Sequence, residues 1–214
     1  VGHYPMICYG VAKLREAGIR DIVIVTTRLA LGAFAEVLGS GRDWGVSIVY
    51  RVQEEAGGIA QALELARPVM AEGEKFVVLL GDNLFEQSLR PFVEDFERQT
   101  SGAMVLLKEV DDPRRYGVPK LEEGSGRIAF IEEKPENPLS PYCVTGMYFY
   151  PSDVFEIIDK VRPSDRGELE ITDVNNVYAR EGRLGYQVLD GWWTDAGTFD
   201  SLEEAGRRLK GTLP

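Results

Sequence analysis

A short run of mostly β-branched residues, Asp21-Ile22-Val23-Ile24-Val25-Thr26, constrains the fold of this chain more than any other feature. A strand that is apolar on both faces must be covered on both faces, the situation of a parallel strand flanked by helices. The neighbouring sequence supplies the helices. Residues 5–17 place Met6, Ile7, Tyr9, Val11 and Leu14 at helical spacing, and Gly18 is a C-terminal stop. Val46 to Val52 reads as a strand, and Ile59 to Met70 as a helix entered through Gly57-Gly58. Lys75 to Leu80 is another buried strand, and Leu89 to Gln99 is amphipathic, with Leu89, Phe92, Val93 and Phe96 on one face. Alternation of this kind points to an α/β fold: a largely parallel sheet with helices on both faces.

The second half changes character. Ala103 to Val110, Gly117 to Leu121, Arg127 to Glu133 and Tyr142 to Tyr150 are strand-like, with helical patterns only at 153–161 and 171–181. Tyr186 to Leu189 follows as a strand and Ser201 to Leu209 as a helix. No repeat or low-complexity linker interrupts the 214 residues, so residues 1–214 read as one domain, a doubly wound half carrying a β-rich half. A doubly wound domain normally opens with a strand and a glycine-rich phosphate loop. This chain opens with a helix and contains neither G-x-G-x-x-G nor G-x-x-x-x-G-K. The domain is therefore expected to be N-terminally truncated, its first strand missing.

Composition removes several kinds of chemistry. Lys and Arg total 24 against 35 Asp and Glu, a formal net charge of −11, the wrong sign for nucleic-acid or membrane-surface binding through counterion release. No apolar run approaches the ~20 residues that span a bilayer, and no signal peptide is visible. Cys8 and Cys143 are too few for a disulfide framework and read as small core hydrophobes, consistent with a cytoplasmic location. The single histidine, His3, leaves no nucleophilic triad elsewhere and no His/Cys zinc site. Chemistry must come from carboxylates, Lys, Arg, Tyr and backbone amides, with a hard cation.

The motifs allow both plain and chemical readings. Asp82, in Gly81-Asp82-Asn83 after an apolar strand, either caps a turn or holds Mg²⁺ while substrate phosphates complete its shell. Gly57-Gly58 either serves a sharp loop or lets a flat base lie on Gly58 while the amide of Gln53 reads its edge. In Glu132-Glu133-Lys134-Pro135 the charges are a solvated strand end, or Lys134 holds a phosphate and Glu132 accepts from sugar hydroxyls. Arg166 precedes a helix and either pairs with the acids around it or grips phosphate. Asp195 is a second strand-end carboxylate, far from Asp82 in sequence, and Trp192-Trp193 is core or a wall for a sugar face.

Taken in order, Tyr4-Pro5-Met6-Ile7, Ala17 to Ile22, Gly57 to Ala62, Leu80 to Asn83, Tyr116-Gly117-Val118, Glu132 to Pro135, Val144 to Tyr148, Arg166 to Asp173 and Trp193 to Thr198 resemble the sugar-phosphate nucleotidyltransferases. The likeness runs over essentially the whole chain and is strongest to the short-form glucose-1-phosphate thymidylyltransferases. It implies a Rossmann-like three-layer sandwich with a mixed, mostly parallel central sheet. It implies Mg²⁺ on Asp82 and Asp195, and sugar phosphate held by Lys134 and Arg166. Glu132, Gly117, Thr145 and Gly146 would line the sugar pocket, Gln53 and Gly58 would recognise the base, and Tyr116 and Trp193 would be walls. The implied reaction joins a nucleoside triphosphate, dTTP first, to glucose 1-phosphate. UTP or CTP as donor, or a non-catalytic sugar-nucleotide-binding module, are the alternatives, and self-association into a homo-oligomer is compatible with each.

Overall fold

In the computed structural model, which describes residues 1–211, the chain runs α1 (Met6–Glu16), β1 (Asp21–Thr27), α2 (Arg28–Leu38), β2 (Ser47–Gln53), α3 (Ile59–Glu64), β3 (Lys75–Leu79), β4 (Asn83–Phe85) and α4 (Arg90–Arg98). It continues with β5 (Ala103–Glu109), β6 (Gly117–Glu122), β7 (Arg127–Glu133), β8 (Tyr142–Pro151), α5 (Val154–Ile158), α6 (Ile171–Arg180), β9 (Leu184–Val188), β10 (Trp193–Asp195) and α7 (Phe199–Arg208). Contacts divide it into two compact units. One holds residues 1–54, 79–94 and 190 onward, and the other 55–78 with 95–189.

In the first unit the apolar run is β1, and β2 lies parallel to it in register, Ile22 beside Ile48 and Ile24 beside Tyr50. Helix α1 separates two cores. Cys8 and Val11 pack with Ile22, Ile24, Leu38, Val46 and Ile48, while Tyr9 packs with Leu84, Ala205 and Leu209. One helix can do this because residues one apart point to different faces. Lys13 then ties α1 to the end of β4, donating to the carbonyls of Glu86 and Gln87 at 2.6 and 3.3 Å above the ring of Phe85. Burial pulls its pKa below the ordinary lysine value.

The second unit contains the central mixed sheet, in the order β3-β8-β5-β9-β7-β6. β5 and β9 run parallel, whereas β5 with β8, β6 with β7, and β7 with β9 are antiparallel. Phe149 and Tyr150 are neighbours on β8 and so point to opposite faces. Phe149 meets Phe96 of α4 edge-on, while Tyr150 stacks on Tyr178 of α6, so helices cover both faces. This is why β5 is buried from Ala103 to Leu107. A polar network secures α6: Tyr150 donates to Asn175 at 2.5 Å, and Tyr178 and Arg183 donate to Asp153 at 2.5 and 2.9 Å. Both cysteines are buried thiols.

Three helix boundaries differ from expectation for an identifiable physical reason. The helix expected over 59–70 ends at Glu64, because Pro68 has no N–H and its ring opposes the carbonyl four residues back; Arg67–Val69 form a 3-10 turn instead. The helix expected over 153–161 is α5, shortened ahead of Pro163, which disfavours a helical Arg162. The final helix starts at Phe199, two residues early, because Thr198 and Ser201 form a reciprocal cap. Helix α2 was not anticipated.

The Tyr150 hydroxyl offers a direct test. Tyr150→Phe strands the buried Asn175 acceptor, an expected cost of about 1–3 kcal/mol, or a fall of a few to about 10 °C in Tm. Burial also raises the Tyr150 and Tyr178 phenols above the free value of 10.0. Groups raised by folding stabilise fully below their unfolded pKa and lose that contribution as pH rises. Tm is therefore expected to fall above about pH 10, less steeply in Tyr150→Phe; equal slopes would contradict the assignment.

Candidate active site

In the first unit, β4 and β10 form a three-rung antiparallel ladder, with Asn83 beside Asp195 and Phe85 beside Trp193. The ladder extends one residue further, since the Ala196 N–H donates to the Asp82 carbonyl at 2.8 Å. Asp82 and Asp195, remote in sequence, thereby sit on adjacent strands at the same ladder end. Both are partly exposed.

Asn83 organises this end. It is 4% exposed, donates through Nδ2 to Asp82 Oδ1 at 2.9 Å, and accepts at Oδ1 from the Trp193 indole N–H at 2.8 Å. One buried amide thus fixes a carboxylate and an indole together. The sequence reading attached no role to Asn83. Its signal was there: an amide directly after a strand-end Asp can orient that carboxylate if the chain buries it. In the same unit, Gln53 closes β2 opposite Thr27.

The second unit holds the cationic candidates. Lys134 follows β7 at φ 47°, a left-handed conformation unfavourable for a side chain with a Cβ, and its N–H donates to the Tyr116 carbonyl at 2.9 Å. The ladder puts Gly117 opposite Glu133 and Val118 opposite Glu132, so Tyr116, Gly117, Glu132 and Lys134 share one strand end. At Gly117 a Cβ would lie 3.0 Å from Ile131 and 3.3 Å from the Glu133 carboxylate, a spacing that suits glycine.

Arg166 is not free of the acids around it. Its Nη2 lies 2.7 Å from Glu170 and 3.6 Å from Glu168, and these pairings raise its pKa further. The acid-pairing alternative is thus the resting arrangement. Gly58, at φ 93°, packs so tightly that a Cβ would come within 2.4 Å of the Leu169 carbonyl. Gly57 and Ala60 also bond to Leu169, at 2.8 and 3.2 Å, which joins the glycine loop to the Arg166–Glu170 segment. The geometric role of these glycines is therefore real, whatever else they do.

Thr145 has a different place. The register of β5 against β8 shifts between Val105 and Leu107, and the Thr145 hydroxyl fills the gap by donating to the Leu106 carbonyl at 2.8 Å. At 1% exposure its side chain is committed to the sheet.

The glucose-1-phosphate thymidylyltransferase of Neisseria meningitidis serogroup A is 41% identical over 204 residues, 94% of this chain and 70% of that one. A crystal structure of a candidate glucose-1-phosphate thymidylyltransferase from Bacillus anthracis, in complex with a sucrose, superposes with a TM-score of 0.94 at 49% identity, covering all of this chain and 86% of that one. A UDP-glucose pyrophosphorylase complexed with UDP-glucose gives 0.83 at 26% identity, over 95% and 86% of the two chains. The nucleotidyl transferase family model matches residues 1–211, and the chain belongs to that family.

Proposed function

We propose that this chain is an enzyme that transfers a thymidylyl group from dTTP to glucose 1-phosphate, giving dTDP-glucose and pyrophosphate. The observation that supports the reading is the pairing of β4 with β10, which brings Asp195 opposite Asn83 and Ala196 opposite Asp82, so that two sequence-remote acids come within one residue of each other along the ladder. The named activity of the relatives supports the same donor and acceptor.

The reaction suits a chain with one histidine. A phosphate oxygen of glucose 1-phosphate attacks the α-phosphorus of the triphosphate in line, the bond from that phosphorus to the bridging oxygen breaks, and pyrophosphate leaves. The attacking phosphate monoester has a second pKa of about 6 and is already anionic at neutral pH. No general base or covalent intermediate is required. The protein's contribution is position and charge.

Lys134 would hold the sugar phosphate as a point charge, its direction set by the Tyr116 contact. Arg166 would exchange Glu168 and Glu170 for phosphate oxygens. Glu132 would accept from sugar hydroxyls beside Tyr116, Gly117 and Gly146, with Trp193 as a wall. Gln53 and Gly58 would receive the base. The donor set also fits Mg²⁺, which uses one or two carboxylates and leaves other positions to phosphates and water; no group of three or more His, Cys, Asp or Glu occurs among the described residues. When bound by Asp82 and Asp195, Mg²⁺ supplies charge neutralisation of the triphosphate. Among the described residues no helix is long and apolar enough to cross a membrane.

Pyrophosphate release should be measured with glucose 1-phosphate and each of dTTP, UTP and CTP. dTTP is expected to lead UTP by the ~10–200-fold that one methyl can supply; UTP or CTP leading would reassign the donor, and silence with all three would defeat the transferase reading. Lys134→Ala is expected to slow turnover by on the order of 10²–10³. Asp195→Asn, nearly isosteric, is expected to raise the Mg²⁺ concentration for half-maximal rate at least ~10-fold while Tm stays within a degree or two.

A further inference from the structure

The strand that ends in Glu132 and Lys134 has an open side. β7 pairs with β6 along its length, but its pairing with β9 is confined to Arg127 beside Gly185. Residue Pro119 of β6, opposite Ile131, has no N–H, and alternation in an antiparallel pair turns the Ile131 N–H and C=O away from β6. Both groups would need partners on the open side.

Helix α6 supplies them. The Ile131 N–H donates to Asn176 Oδ1 at 2.7 Å, and Asn176 Nδ2 donates to the Ile131 carbonyl at 2.9 Å. One side-chain amide thus reproduces the donor and acceptor of an adjacent strand. Two residues along β7, the Glu133 carboxylate accepts from the Thr172 hydroxyl at 2.7 Å. The spacing is matched: four residues of helix rise about 6 Å, and two residues of strand about 6.6 Å. The next residue is Lys134, with its positive φ. The helix is itself anchored through Asn175 and Tyr178 to the buried aromatic stack.

We infer that α6 is a splint for β7, and that Thr172 and Asn176 are positioning residues which fix the strand end presenting Glu132 and Lys134. Neither touches substrate. Their effect on catalysis rests on the function proposed above, whereas the splint itself can be read without substrate.

The test uses Thr172→Val and Asn176→Asp, singly and combined, in the whole enzyme. Amide hydrogen exchange at Ile131 and Lys134, with no ligand present, is expected to quicken at least ~10-fold in Thr172→Val combined with Asn176→Leu, which removes the amide acceptor as well as its donor; unchanged protection overturns the splint whatever the activity. In kinetics, kcat/KM for glucose 1-phosphate is expected to fall ~10–100-fold with the KM for the triphosphate held within about twofold. Equal loss toward both substrates, or loss of Tm without a kinetic split, overturns the positioning role.

Asn176→Asp adds a signature that a packing defect would not give. Its carboxylate accepts from the Ile131 N–H but offers the carbonyl nothing, and protonation restores the donor. Activity relative to wild type is therefore expected to recover as pH drops toward about 5, and a flat ratio counts against the inference. Should wild type form no product from glucose 1-phosphate, the proposed function falls while the exchange experiment still decides the splint.

Discussion

Three rungs of antiparallel ladder hold together what the sequence keeps apart. The pairing of Asn83–Phe85 with Trp193–Asp195 joins the middle of the chain to its last strand; its end rung sets Asp195 opposite Asn83, and Asp82 follows one residue further, bonded to Ala196. So short a ladder is not self-sustaining. It persists because Leu84 is buried with Tyr9, Ala205 and Leu209, and because Lys13 binds the carbonyls just beyond β4. The geometry of two carboxylates therefore depends on a helix near the start of the chain and another near residue 209. Asn83 adds the finer control, since the same amide that receives the indole of Trp193 restrains the carboxylate of Asp82.

The second unit solves a different problem. Its sheet leaves one strand end exposed while satisfying the backbone around it. An extra strand would satisfy Ile131 but cover that strand end. A helix side chain satisfies the same two groups with less bulk, and leaves Glu132, Glu133 and Lys134 exposed. The left-handed backbone at Lys134 is a local cost which the Tyr116 carbonyl contact offsets.

Much of the fold was legible in the residues themselves. The β-branched run at 21–26 and the apolar runs at 75–80 and 103–110 became strands, though only β5 is buried on both faces; β1 alternates buried and half-buried residues and β3 is half-buried throughout. Helix α2 was missed because Arg28–Leu38 is apolar nearly all round yet largely exposed, with Leu29 at 96%, so no stripe marks it. The Thr27 cap was the available signal, its hydroxyl accepting from Ala30. Strands β4 and β10 were invisible for another reason: three residues carry no period, and their partnership spans some 110 positions. Asp82, Asp195, Lys134 and Arg166 could be named from local chemistry. The roles of Asn83, Thr172 and Asn176 could not, because each is defined by a partner in another element. The hydrogen bond of the Thr145 hydroxyl was likewise hidden, since only the shift in the β5–β8 register reveals what it does.

The acids beside Arg166 have a consequence for selectivity. A guanidinium already occupied by Glu168 and Glu170 is electrically quiet at rest. Stray singly charged ions gain little by evicting carboxylates tethered to the same loop, because they offer no denser charge than the groups they displace. A doubly charged oxyanion, delivered with a sugar that makes contacts of its own, offers a better exchange. If Arg166 holds the sugar phosphate as proposed, the pairing would work as a threshold on charge density, reserving the arginine for one kind of visitor.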